Sequence, residues 1–243
     1  MTYCLGIITH QGLVLASDSR TNAGSDDVNV FPKMHKFVLP GQRVFVLLCS
    51  GSLSISQSVI TLLERDFKQG TGLAAAKTMY DAARVIGELV RRVSDLDRPA
   101  LERDGYSYNV HFIVGGQIRG EPHGLYLVYP QGNPLSAAVE LPYLQIGERK
   151  YGRPILDRGV NYHQTSLEEA TKYALISLDS TMRSNVTVGP PIDLAVYTAD
   201  ELKIARYRRL GADDPDLRGI RKLWEQALRK TVQELPELRF EER

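Results

Sequence analysis

The chain has little of several things, and each shortage narrows the reading. Only two cysteines, Cys4 and Cys49, occur in 243 residues. Both sit in strand-like apolar runs and read as reduced core residues of a cytoplasmic protein. No Cys/His cluster has the spacing of a metal site, the five histidines are scattered, and no cofactor is implied. Neither sign of charge dominates: 30 Lys and Arg stand against 29 Asp and Glu, a net charge of +1. Without a basic run there is no reason to expect nucleic acid. No stretch approaches the ~20 apolar residues of a membrane span, and the first residues lack the charged region, apolar core and cleavage site of a secretory signal. Internal repeats and low-complexity linkers are missing as well. What is present is 43% hydrophobic and 24% charged residues, enough to bury a sizeable core as one domain.

The opening residues carry the most chemistry. The chain begins Met1-Thr2-Tyr3-Cys4, so removal of Met1 would leave a threonine with a free α-amine. A threonine hydroxyl is a weak nucleophile alone, and an adjacent amine can accept its proton. An α-amine has an ordinary pKa near ~8, which makes it a usable base around neutral pH. Apolar residues Cys4, Leu5, Ile7 and Ile8, a turn at His10-Gln11-Gly12, and the run Leu13 to Asp18 predict a β-hairpin. That hairpin returns the chain to its start and brings Asp18 near Thr2.

Periodicity predicts strands at 3–9, 13–18, 36–39 and 43–50, then helices at about 52–68 and 72–95. Strands follow at 107–116, 124–129 and 142–146, and helices at about 150–159 and 166–183. The second of these helices starts from Thr165-Ser166 with Glu168 and Glu169 in its first turn. Further strands are expected at 192–198 and near 202–209. Blocks of strands followed by blocks of helices predict an α+β architecture of two layered sheets with helices outside. After Asp213-Asp214-Pro215, residues Leu217, Ile220, Leu223, Trp224, Leu228 and Val232 form an apolar stripe on a helix from about Leu217 to Leu235. That helix either docks on its own core or packs on a neighbouring subunit.

Four stretches in order carry a resemblance: Thr2; Ala16-Ser17-Asp18-Ser19-Arg20-Thr21; Lys33-Met34-His35-Lys36-Phe37; and Leu48-Cys49-Ser50-Gly51-Ser52. They resemble the proteasome β-subunit family of N-terminal-nucleophile hydrolases, and most closely its bacterial Anbu branch, whose members begin MTYC and carry ASDSRTNAG. The likeness covers about residues 2–200 as a fold. It implies a four-layer αββα sandwich of two antiparallel sheets flanked by helices, one domain over residues 1–243 with a C-terminal helical extension at about 213–243.

The resemblance also implies roles. Thr2 would be the nucleophile. Lys33, rather than the competing Lys36, would place an ammonium beside it, where positive charge favours the deprotonated oxygen. Asp18 would hold Lys33 charged and oriented. Gly51 would offer its backbone N–H to the oxyanion. An extended peptide would add beside Thr21 and Asn22, and Cys49 would form a medium apolar floor of the pocket for the residue before the cut. Two departures stand out. The usual G-S-G element reads Gly147-Glu148-Arg149, and an acidic residue followed three positions later by serine is replaced by Ser184-Asn185-Val186-Thr187. Ser184 and Thr187 still offer hydroxyls that could accept a bond from the terminal amine.

The implied activity is therefore a threonine-type peptidase working within a homo-oligomer on peptide or unfolded polypeptide, with no unfoldase partner identified. Two alternatives stay open: an amidohydrolase of the same chemistry acting on a small amide, and a weakly active or inactive assembly protein of the same fold. The two departures motivate the second.

Overall fold

The computed structural model describes residues 1–22 and 28–238. The first sheet is built on the predicted hairpin of β1 (Tyr3–Thr9) and β2 (Gly12–Ser17). A two-stranded ribbon follows, β3 (Arg20–Asn22) with β4 (Val28–Val30). Then come β5 (Met34–Leu39), β6 (Arg43–Gly51), α1 (Leu53–Lys68) and α2 (Met79–Arg103). The chain continues through β7 (Val110–Ile118), β8 (Gly124–Val128), β9 (Pro134–Ser136) and β10 (Tyr143–Gly147). It ends with α3 (Arg153–Gly159), α4 (Leu167–Ser184), β11 (Ile192–Thr198), β12 (Arg206–Leu210) and α5 (Pro215–Glu234). The two larger sheets run β10-β1-β2-β11-β12 and β5-β6-β7-β8-β9, every pair antiparallel.

Side-chain alternation explains the layering. All seven residues of β1 are buried, because alternate side chains face different neighbours. Tyr3, Leu5 and Ile7 join Val14, Ala16, Ile192 and Leu194 under α3 and α4. Cys4 and Ile8 join Leu13 and Leu15 against Val44, Val46, Leu48 and Ile113 of the other sheet. Phe45, Leu47 and Cys49 of β6 point the opposite way, onto Ile55, Val59, Ile86 and Val90 of α1 and α2. Three apolar layers between four layers of secondary structure form the predicted αββα sandwich.

Several boundaries differ from the expectation. The helix expected at 72–95 begins at Met79, and residues 72–74 form a short 3-10 turn. The cause is a capping box: the Asp81 N–H donates to the Thr78 hydroxyl (3.1 Å) and the Thr78 N–H to the Asp81 carboxylate (3.0 Å). Its far end runs to Arg103 with Pro99 inside, so the next strand starts at Val110 rather than 107. Ser166 caps α4 with Glu169 in the same reciprocal way. Three strands of three residues, β3, β4 and β9, are too short to leave a periodic signal.

The stripe on α5 divides. Leu217 and Ile220 join the core beneath α4, and the helix is tied down by Arg221–Asp179 (2.6 Å) and Arg183–Glu225 (2.7 Å). Trp224 is half-buried, while Leu223, Leu228 and Val232 are exposed. The last residues of the expected extension, 239–243, lie outside the described residues.

Candidate active site

Thr2 precedes the first residue of β1, and two cavities open on either side of it. One, of about 470 Å³, is lined by Met1, Thr2, Thr21, Gly51, His111 and Arg149 among others. The second, of about 390 Å³, is lined by Thr2, Thr21, Lys33, Cys49, Gly51 and Glu64 among others. Thr2, Thr21, Ser50 and Gly51 line both, so the two cavities adjoin at these residues.

The hairpin register explains how Asp18 arrives there. Cys4 pairs with Ser17, so Asp18 lies beyond β2 opposite Tyr3. The Asp18 N–H donates to the Tyr3 carbonyl (3.1 Å), and the Tyr3 N–H donates to Asp18 Oδ1 (3.0 Å). The same Oδ1 takes the Lys33 ammonium at 2.7 Å, and Oδ2 takes the Gly189 N–H at 3.2 Å. Lys33 Nζ also donates to the Arg20 carbonyl at 2.5 Å. Asp18 is fully buried and Lys33 is 5% exposed, so each charge needs the other. Burial pushes the Asp18 carboxyl up, against the pull of Lys33 and the two backbone N–H groups. Lys36 takes no part in this pair: its ammonium lies 3.4 Å from the centroid of the Tyr207 ring.

Tyr3 anchors the start of β1 from below. Its hydroxyl bonds Ser177 at 2.7 Å and accepts from the Gln145 amide. From the opposite edge, β10 pairs with β1 so that Gly147 faces Tyr3. The Glu148 N–H donates to the Thr2 carbonyl at 2.8 Å. The backbone flanking Thr2 is thus held on both sides.

Gly51 ends β6 with φ +107°, and a Cβ there would meet the Asn109 carbonyl oxygen at 2.2 Å, so this corner requires glycine. Asn22 follows Thr21 in β3. Cys49 is buried at the second cavity, and burial pushes its thiol up to about 11. The Cys4 thiol is also raised well above its ordinary value by burial, so neither sulfur offers a thiolate near neutral pH.

Two expected participants, Ser184 and Thr187, line neither cavity. Ser184 is the last residue of α4 and is exposed. Thr187 directs both its hydroxyl (2.6 Å) and its N–H (3.0 Å) to Asn185 Oδ1, so the hydroxyl's proton is committed locally. The Asn185 amide in turn donates to the Glu148 carboxylate at 3.2 Å. Glu148, 8% exposed, is the acidic group that sequence reasoning counted only as a departure. The terminal amine, carried by Met1, is lowered by burial and then by Lys33, against the opposite pull of Asp18 and Glu148. A glycine followed by an acid at the end of a strand was the available signal.

No group of three or more His, Cys, Asp or Glu positioned for a metal occurs among the described residues. Nor is any described helix long and apolar enough to cross a membrane.

Two antiparallel five-stranded sheets between helical layers, with a cleft at the open start of β1, define the class of fold as that of the N-terminal-nucleophile hydrolases. No family model matches the chain. It is 28% identical over 212 residues to a proteasome subunit beta of Haloferax volcanii, covering 85% of this chain and 77% of that one. Among solved structures, Anbu, the ancestral beta-subunit, from Yersinia bercovieri is 41% identical, with 99% of this chain and 100% of that chain covered and a TM-score of 0.92. The Anbu complex from Pseudomonas aeruginosa, solved as a helical assembly, is 42% identical with 98% of each chain covered and a TM-score of 0.92. At such identity over nearly the whole of both chains, this chain belongs to the proteasome-β-like Anbu family.

Proposed function

We propose that the chain is a threonine-type peptidase whose nucleophile, Thr2, is exposed by removal of Met1 and which works within a homo-oligomer in the cytoplasm. The observation that carries the reading is the shared carboxylate oxygen: Asp18 Oδ1 takes the N–H of the residue after Thr2 and the buried Lys33 ammonium together. With Met1 gone, the Thr2 hydroxyl attacks the scissile carbonyl carbon and its proton passes to the α-amine, directly or through a water. The developing oxyanion is stabilised by the Gly51 N–H, and the Lys33 charge favours the alkoxide character of the attacking oxygen. Collapse breaks the C–N bond, the leaving amine takes the proton, and an ester to Thr2 remains. Water then hydrolyses that ester and restores the hydroxyl. Assembly is supported by the helical complex of the Pseudomonas relative and by the exposed apolar residues on α5. The free thiols of Cys4 and Cys49 suit a reducing compartment.

The test is direct. Intact mass of the purified assembled protein is expected to show Met1 absent, and a threonine-directed covalent probe is expected to add once, at Thr2. Thr2→Ala removes the adduct while assembly persists. Retention of Met1, or an unmodified Thr2 in properly assembled material, overturns the reading.

Glu148 has a role in the same account. Its carboxylate is oriented by Asn185 and its backbone N–H holds the Thr2 carbonyl, so its negative charge favours a protonated α-amine on Thr2 while the Lys33 charge favours the neutral one. Glu148→Gln keeps an acceptor for Asn185 and deletes only the charge. The amine's pKa then falls, so the acid limb of the labelling rate moves to lower pH. A pH–rate profile of probe addition reads this, and an acid limb in the same place as that of the unmodified chain removes Glu148 from the mechanism.

A further inference from the structure

The second cavity has a chemical character that points to a substrate. It carries three groups able to bear charge: Lys33, His35 and Glu64. The Lys33 charge is taken up by Asp18 at 2.7 Å. Burial holds the His35 imidazole below its ordinary value, so it is neutral at pH 7. Glu64, an exposed residue of α1, lines the cavity, and no ion pair of Glu64 occurs among the described residues. Its neighbour Arg65 is instead held by Asp66 at 2.8 Å. The rest of the lining is mixed, with Ile60, Cys49 and Phe31 giving apolar wall and Gln57 and Thr61 giving polar groups. A cavity that combines apolar wall with one carboxylate outside any ion pair among the described residues suits a side chain with a long aliphatic stem and a cationic head.

We propose that this cavity receives a lysine or arginine side chain, so that the enzyme cuts after basic residues. The inference rests on the peptidase reading above and on Cys49 marking the pocket for the residue before the cut. The stem of the substrate side chain packs along Ile60 and Cys49, and the head reaches the Glu64 carboxylate. An acidic side chain is repelled there. A purely apolar one fills the same cavity but leaves Gln57 and Glu64 without a partner.

Peptide epoxyketones differing only in the residue that carries the warhead (Arg, Lys, Leu or Glu) test this on the full, assembled chain, with adduct formation at Thr2 followed by intact mass. The Arg and Lys probes are expected to label up to about fivefold faster than the Leu probe, as a solvent-exposed charge pair allows, and the Glu probe slowest. Glu64→Gln is expected to bring the Arg-to-Leu ratio close to unity, and Glu64→Lys to move the preference toward the Glu probe. Labelling of Thr2 with no preference for a cation, or a preference that survives Glu64→Gln, overturns this inference and leaves the peptidase reading standing. Failure of every probe to label Thr2 overturns both.

Discussion

Lys33→Met is expected to abolish covalent labelling of Thr2 and to destabilise the fold. The two losses have different origins and different pH dependences. For the chemistry, the variant removes the positive charge beside the attacking oxygen. Loss of one such preorganised group costs about 10²-fold or more in rate. For stability, it leaves the Asp18 carboxylate, fully buried, with only the N–H groups of Tyr3 and Gly189. Breaking a buried pair from one side costs about 3–5 kcal/mol. Because burial already raises the Asp18 carboxyl, removing Lys33 raises it further. A carboxyl whose folded pKa exceeds its unfolded one binds its proton more tightly in the folded state. The stability deficit is therefore full above the raised folded pKa, shrinks as pH falls through it, and is gone below the ordinary carboxylate range. Labelling does not return at acid pH, because protonating Asp18 replaces no ammonium. Urea unfolding across pH, read beside the labelling rate, separates the two effects. A variant that labels normally, or a deficit that grows toward acid pH, contradicts the assignment of this pair.

The Asp18–Lys33 pair was legible because its parts are local. A seven-residue strand, a glycine turn and a six-residue strand return the chain to its own start, and the hydrophobic alternation fixes which residue of the hairpin arrives opposite Tyr3. Apolar strand runs marked most of both sheets, and apolar residues at helical spacing marked the long helices. What the sequence left dark depends on contacts between distant segments. Glu148 reaches Thr2 only because β10 pairs with β1, Gly147 against Tyr3, and no local pattern announces a pairing across that separation. Ser184 read as a hydroxyl near the amine because a helix ending one residue earlier would have released it into the loop. Instead α4 includes it as the last residue and turns it outward. The amphipathic stripe on α5 was visible, but periodicity cannot say what covers it: Leu217 and Ile220 meet the chain's own core, whereas Leu223, Leu228 and Val232 do not.

A position with no room for added volume lies on that unannounced pairing. Gly147→Ala is expected to cost both stability and nearly all labelling at Thr2, although it changes no charged or nucleophilic group. Gly147 has φ +84°, and a Cβ there would stand 1.9 Å from the Thr2 carbonyl oxygen. A backbone oxygen cannot rotate aside, so Thr2 itself must move, and with it the 2.8 Å bond from the Glu148 N–H. Holding a non-glycine residue in this region costs about 1–3 kcal/mol, and a displacement near 1 Å at a reacting group costs about 10²-fold in rate. Gly120 separates the two contributions. It has almost the same φ, +83°, but nothing within 4 Å of the site a Cβ would take. Gly120→Ala should therefore show the conformational cost in thermal unfolding and leave the labelling rate at Thr2 unchanged. Equal labelling by both variants would mean that Thr2 tolerates displacement, and the requirement for an exactingly placed residue at the head of β1 would fall with it.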